Sequence, residues 1–164
     1  MNKCFLILLL VLIGCGEESK TTVKTYQNDN PLIASKKWST LHEFVNTNNV
    51  EGIKSLVNKK IDVNIVAVSE ELRQMTPLQL AVKNGSYEIV ELLLNSGAMV
   101  NQVTTTGMTA LHFAIDLRHA GLIQLLVKSG ADLKAESLFV HPPAKYAREK
   151  GYEELIPLLE NVSQ

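Results

Sequence analysis

Residues 76–81 of the 164-residue chain read Thr-Pro-Leu-Gln-Leu-Ala, and the stretch recurs 33 positions later, at residues 109–114, as Thr-Ala-Leu-His-Phe-Ala. A degraded third copy, Pro-Pro-Ala-Lys-Tyr-Ala, occupies residues 142–147 after the same interval. The segments that follow stay in register, since residues 88–98 align with residues 121–131. A fixed period of this length predicts a chain built from stacked copies of one structural unit.

An earlier copy is displaced by a different interval. Residues 39–42, Ser-Thr-Leu-His, precede the second copy by 37 positions, and Val63-Asn64 matches Val100-Asn101 at the same offset. We therefore predict that four additional residues lie between Asn64 and Thr76.

Each unit is expected to be a pair of short helices. Leu78, Ala81 and Val82 share one helical face, and a Leu-rich second helix follows Gly85. Helices this short are unstable alone, so each pair must bury its apolar face against the next copy. Four residues are expected to mark the helix ends, with threonine capping first helices and glycine ending second helices: Thr76, Thr109, Gly97 and Gly130.

These residues resemble ankyrin repeats, whose pattern is Thr-Pro-Leu-His-x-Ala, a Leu-rich helix and Gly-Ala-Asp-Val-Asn. The resemblance covers roughly residues 36–162. It implies an all-α solenoid of about four helix-turn-helix repeats joined by hairpin-like fingers. The expected repeats are about 36–70, 71–103, 104–136 and 137–162.

Two residues depart from the family pattern. Arg118 stands where the family has an inter-helix glycine, so we expect that turn to close differently, because arginine does not adopt positive φ cheaply. Pro157 lies inside the expected last helix, where it should kink or destabilise the helix unless the helix starts late. We interpret this end of the chain as a frayed cap.

The N-terminus resembles a bacterial lipoprotein signal. Lys3 precedes nine apolar residues, 5–13, and the segment ends in Leu12-Ile13-Gly14-Cys15. The resemblance implies that residues 1–14 are removed before Cys15 and that Cys15 is acylated. The alternative, a short membrane anchor with an incidental cysteine, is disfavoured because nine residues cannot cross a hydrocarbon core of about 30 Å.

The segment after the lipidated cysteine is polar and without period. We expect residues 15–35 to form a flexible tether between the membrane and the repeats. Gly16, rather than an aspartate, follows Cys15, which by resemblance implies an outer-membrane lipoprotein facing the periplasm.

Composition argues against several functional classes. The 16 basic and 17 acidic residues nearly balance, which disfavours a nucleic-acid-binding surface. His42 and His112 occupy the histidine position of the repeat, where the family uses the imidazole to hydrogen-bond the turn backbone. His119 and His141 have no ligand-type residue at metal-binding spacing. With no catalytic motif in the sequence, we expect no enzyme, no cofactor and no metal.

Ankyrin stacks bind through their finger tips and the concave face of their first helices. The longer first finger, Ile65 to Met75, is our first choice for specificity. As alternatives, Trp38 covers the open end of the first repeat, or residues 138–140 fold onto the last helix. Carried over position by position, the predicted partner-binding residues are Trp38, Glu70, Glu71, Arg73, Met75, Lys83, Thr105, Met108, Asp116, Phe139 and His141.

The resemblance implies a membrane-anchored interaction module in the bacterial envelope, monomeric when unbound, that binds one protein. Its sharper form is an immunity or inhibitor protein for an envelope-acting toxin, because an anchored blocker needs no catalytic residue. The alternative is a structural or scaffold lipoprotein that positions another envelope protein.

Overall fold

The computed structural model describes residues 39–67, 74–137 and 139–160, all within one compact unit of the chain. The expected signal peptide, Cys15 and the tether over 15–35 lie outside the described residues.

Within this described part the chain is helical and contains no strand. Four helix pairs follow one another, and their first members are all seven residues long. A single 3-10 turn, Glu153–Leu155, precedes the last helix. The helices are α1 (Thr40–Asn46), α2 (Val50–Asn58), α3 (Pro77–Lys83), α4 (Tyr87–Asn95), α5 (Ala110–Asp116), α6 (Ala120–Lys128), α7 (Pro143–Glu149) and α8 (Ile156–Glu160). The predicted all-α stack of four repeats is confirmed.

The core runs along the stack as one continuous layer. Each first helix contacts its own second helix and the first helix of the next repeat. On α6, Leu122, Ile123 and Leu126 lie on one helical face and are completely buried. Because each repeat covers the apolar face of its neighbour, no helix pair would have a complete core by itself.

The expected helix ends are present. Thr76 Oγ1 accepts the backbone N–H of Gln79 at 3.2 Å, and Gln79 Oε1 accepts the backbone N–H of Thr76 at 2.9 Å, which completes a capping box. Thr109 is the N-cap of α5. Gly97 and Gly130 have φ of 88° and 87°, the left-handed conformation that ends a helix.

The expectation for Arg118 is wrong. Arg118 adopts φ of 52°, and its N–H donates to the Ile115 carbonyl at 2.9 Å, just as Gly85 donates to Val82 at 2.8 Å. The turn therefore closes as in the other repeats. Two side-chain interactions accompany the strained backbone: the guanidinium lies 4.1 Å from the Tyr152 ring centroid and 3.9 Å from a carboxylate oxygen of Glu154.

Pro157 is accommodated because the last helix starts late. The segment equivalent to the first turn of α4 and α6 is a 3-10 turn here, and α8 begins at Ile156. Pro157 is thus in the first turn of α8, where its missing N–H has no intrahelical acceptor.

The predicted four-residue insertion is visible in the hairpin-like fingers, which we define as the first (residues 65–75), second (102–108) and third (135–141) finger. In the first, the N–H of Ala67 donates to the Met75 carbonyl at 3.0 Å. In the second, the N–H of Thr104 donates to the Met108 carbonyl at 3.0 Å. The closing bond spans eight residues in one finger and four in the other, so the extra four residues belong to the first finger.

Truncating a core side chain should test the stacked core. Leu126→Ala removes a completely buried side chain, and we expect it to lower the free energy of unfolding by about 2–5 kcal/mol. Leu117→Ala, at a position 45% exposed, is the matched control and should change it by less than about 0.5 kcal/mol. Urea denaturation followed by circular dichroism measures both. Equal, small effects would contradict the buried layer.

Candidate functional site

On each of α1, α3 and α5, a buried side chain donates a hydrogen bond to the base of the next finger. His42 Nε2–H donates to the Met75 carbonyl at 2.9 Å, and His112 Nε2–H donates to the His141 carbonyl at 3.0 Å. Gln79 has the same position in the second repeat, and its amide Nε2 donates to the Gln102 carbonyl at 2.6 Å. This confirms the structural role expected for His42 and His112.

The local surroundings fix the tautomer of these imidazoles. Since Nε2 faces a carbonyl, it carries the proton, and Nδ1 is the acceptor. In the third repeat, Nδ1 of His112 accepts the backbone N–H of Thr109 at 3.2 Å. Burial lowers the pKa of both His42 and His112, and the bond to the backbone carbonyl opposes that shift only in part. Both rings are therefore neutral at physiological pH.

Asparagine side chains fix the other end of the fingers. Asn64 Nδ2 donates to the Gly97 carbonyl at 3.2 Å, and Asn64 Oδ1 accepts the N–H of Met99 at 2.7 Å. Asn101 forms the same pair of bonds one repeat later, at 3.0 and 2.8 Å. The first two fingers are consequently attached to the helical stack on both sides.

The fingers and the first helices enclose a groove of about 560 Å³ on one side of the repeats. It contains five of the predicted partner-binding residues and joins side chains from the second to the fourth repeat. Its finger residues are Met75, Thr106, Met108, Phe139 and Val140, and its first-helix residues are Lys83, Phe113, Asp116 and Tyr146.

Phe139 is the most exposed large apolar side chain of the described residues. It is 82% exposed, whereas its neighbour Val140 is 6% exposed. Ser137 Oγ accepts the backbone N–H groups of both residues at 3.2 Å, which fixes the finger tip. Of the segment that could alternatively pack on the protein, Val140 is buried and Phe139 is not, and residue 138 lies outside the described residues.

The wall of the groove in the third and fourth repeats is polar and internally paired. Tyr146 donates its hydroxyl hydrogen to Asp116 Oδ1 at 2.9 Å, and Lys150 Nζ lies 3.4 Å from the same oxygen. Burial raises the pKa of Tyr146, and its hydrogen bond to Asp116 acts in the same direction. The Asp116 carboxylate also raises the pKa of Lys150. At neutral pH this wall holds a phenol, a carboxylate and an ammonium group.

The expectation that Met75 is displayed at a finger tip is wrong. Only 3% of Met75 is exposed, and the residue belongs to the hydrophobic core. The four extra residues of the first finger precede it, so Met75 is at the base of that finger, where the chain re-enters the stack.

The other described partner-binding candidates are accessible. Lys83, Thr105 and Asp116 are exposed, and Met108 is half-buried in the groove wall. His141 is exposed, and its Nε2 lies 3.3 Å from a carboxylate oxygen of Glu149. The remaining candidates, Trp38, Glu70, Glu71 and Arg73, lie outside the described residues, and so does most of the first finger's tip.

Sequence reasoning missed Phe113 and Tyr146. Both occupy the unspecified x position of the Thr-Pro-Leu-His-x-Ala pattern on a first helix, and Phe113 directly follows the finger-holding donor His112. They are half-buried, and the Tyr146 ring meets the His112 ring edge-on at 5.3 Å. The sequence signal that could have identified them is an aromatic residue at a position where the repeat pattern specifies none.

Two kinds of site are absent from the described ranges. None of the helices there is long and apolar enough to cross a membrane. No group of three or more histidine, cysteine, aspartate or glutamate side chains is placed there to hold a metal ion.

Comparison with known proteins identifies the repeat. The family model for ankyrin repeats, three copies, matches residues 2–103 and 41–137. The chain belongs to the ankyrin-repeat family. Ankyrin repeats generally mediate protein–protein interaction, and members of the family are typically not enzymes.

Several ankyrin-repeat relatives are similar to this chain. An ankyrin repeat protein of Borreliella burgdorferi is 28% identical over 81% of this chain and 75% of its own length. An ankyrin repeat protein of fowlpox virus is 38% identical over 52% of this chain, and the mouse B-cell lymphoma 3 protein homolog is 34% identical over 68%. The chain spans only a quarter of the viral protein and 24% of the mouse protein.

The buried histidines should make the stability of this ankyrin-repeat protein depend on pH. Because folding lowers their pKa, the unfolded chain binds protons first as the pH falls below the ordinary value of 6.5. Their stabilising contribution is therefore complete above pH 6.5 and is lost progressively below it, down to the lowered folded pKa. Urea denaturation at pH 7.5 and pH 5.5 measures the loss.

The glutamine of the second repeat supplies the matched control. Gln79 shows that an amide can cap the helix and hold the next finger. We expect the double variant His42→Gln/His112→Gln to fold and to lose less stability between the two pH values than the parent. An unchanged pH dependence would show that these imidazoles are not the titrating groups.

Proposed function

We propose that the protein is a membrane-anchored binding module that holds one protein partner in the groove between its fingers and first helices. The observation that carries the proposal is Phe139, an aromatic side chain 82% exposed at the rim of a groove. Aromatic side chains surrounded by polar groups dominate the binding energy of protein interfaces. Phe139 contributes little to the packing of the third finger, because the buried Val140 beside it already anchors that finger.

The construction of the groove favours tight and specific binding. The hydrogen bond from His112 fixes the third repeat to the third finger, and the two hydrogen bonds of Asn101 fix the second repeat to the third, before any partner arrives. A preformed surface loses little conformational entropy on binding, so more of the contact energy becomes affinity. Met108 adds a side chain that adapts its shape to the partner.

The membrane part of the proposal rests on the sequence. Residues 1–15 have the order of a bacterial lipoprotein signal. Two or three acyl chains on Cys15 would anchor the protein stably, since each buried methylene contributes about 0.8 kcal/mol. The Borreliella relative, which aligns with 81% of the chain, is in keeping with a bacterial source. We place the module at the outer membrane, facing the periplasm.

The sharper form of the proposal is an inhibitor or immunity protein for an envelope-acting toxin. An anchored blocker needs a binding surface with a strong anchor residue, and the groove around Phe139 provides one. Such a protein should have one dominant partner. A scaffold would instead associate with several envelope components at low occupancy.

Removing the acylation site tests the membrane anchor. Cys15→Ala should release the protein from membranes into the soluble fraction, because no other lipid attachment is proposed. Fractionation of cells expressing each form, with an alkaline wash of the membranes, measures the distribution. A Cys15→Ala protein that resists the wash would contradict the lipoprotein interpretation.

Removing the exposed aromatic tests the binding surface. Phe139→Ala should weaken partner capture by about 30-fold, the equivalent of about 2 kcal/mol, and should leave the helical circular dichroism intact. Capture is measured by pull-down from the protein's own cells in detergent, followed by mass spectrometry after a high-salt wash.

Met99→Ala is the control for this experiment, because Met99 is 60% exposed but does not line the groove. It should capture the partner as the parent does. Equal capture by Phe139→Ala and the parent would refute the groove as the binding surface.

A further inference from the structure

We infer that the groove recognises a segment of the partner in which a large apolar side chain stands beside an aspartate or glutamate, whose carboxylate pairs with Lys83. This rests on the proposed function, because it names the chemistry of the partner that the same groove holds.

Charges in and beside the groove in the third and fourth repeats already have partners within the protein. Asp116 accepts the Tyr146 hydroxyl at 2.9 Å and lies 3.4 Å from the ammonium of Lys150. Glu149, on α7, lies 3.3 Å from His141 Nε2 and 4.0 Å from Lys145 Nζ. A partner gains little from a charge placed at this end, since it would compete with these existing pairs.

Lys83 differs from these groups. It is the last residue of α3, it is exposed, and it lines the same groove as Phe139. Among the residues that the structure describes, it forms no ion pair and no side-chain hydrogen bond. Within the described part of the chain, the groove therefore presents Lys83 as a cation available to an incoming group, and a carboxylate is the complementary side chain in a protein.

The apolar part of the groove sets the second requirement. Met108 and Phe113 line it beside Phe139, and the methionine can adjust to different shapes. Such a lining favours a large aliphatic or aromatic side chain. Since Lys83 lines the same groove, the carboxylate must stand close to that apolar side chain in the partner.

Peptide selection tests this chemistry directly, because it samples many side-chain combinations at once. A phage-displayed library of random peptides is selected at low ionic strength on the full-length chain in detergent micelles. The best binder is then synthesised in two forms, one with its acidic residue and one with the corresponding amide. We expect the acidic form to bind about twofold to fivefold more tightly, the range of an exposed ion pair. Raised salt should reduce the difference.

Variants of Lys83 locate the effect. Lys83→Met keeps the apolar stem and removes the charge, so both peptides should bind it equally. Lys83→Glu should reverse the preference. Lys128→Glu is the matched control, because Lys128 is also exposed in the last turn of its helix but does not line the groove. It should leave the preference unchanged.

The remaining outcomes separate the inference from the proposed function. Peptides that bind the parent, fail to bind Phe139→Ala and show no preference for the acid would overturn the inference and leave the groove as the binding site. Selected peptides that bind Phe139→Ala as well as the parent, or no selected peptides at all, would overturn both.

Discussion

The fold depends on one recurrent interaction, the hydrogen bond from a buried side chain on each of α1, α3 and α5 to a backbone carbonyl of the next finger. His42, Gln79 and His112 all make it, with two different functional groups in the same position. A helix pair of seven and nine residues has little stability of its own, so its neighbours must be placed accurately before their apolar faces can meet. A buried donor that lost its carbonyl would remain unsatisfied, which makes this bond costly to break.

The groove follows from that attachment. The first helices form one wall and the fingers form the other, and the donors at position 79 and position 112 join the two walls. Asn64 and Asn101 attach the far sides of the first two fingers to the repeats that follow. Among the described groove residues, those with a structural role are buried or paired, whereas Phe139 is exposed and Lys83 has no ion pair. The third finger shows this difference in adjacent apolar residues, because Phe139 is exposed and Val140 is buried.

The sequence predicted the architecture well because a period of 33 residues contains the same information several times. The four repeats, the caps at Thr76 and Thr109 and the four-residue insertion were all readable from the register. The turn at Arg118 was predicted wrongly because the repeat geometry imposes a positive φ there despite the side chain. The arginine also contacts Tyr152 and Glu154 in the next repeat. Those contacts are distant in the sequence.

The surface was predicted less well, for a related physical reason. Whether a finger residue is buried depends on where the hairpin closes, and one added residue exchanges the inward and outward sides. Met75, Met108 and His141 share one place in the alignment, yet Met75 is buried in the core, Met108 is half-buried and His141 is exposed. Phe113 and Tyr146 become part of the groove only when neighbouring repeats are stacked.

We propose that the partner binds on the groove side of the stack, with Phe139 at its rim. The most direct test is to place a photo-crosslinking amino acid at position 139 or at position 99 of the full chain in living cells. We expect a single protein adduct from position 139 and none from position 99. An adduct from position 99 with none from position 139 would contradict this proposal.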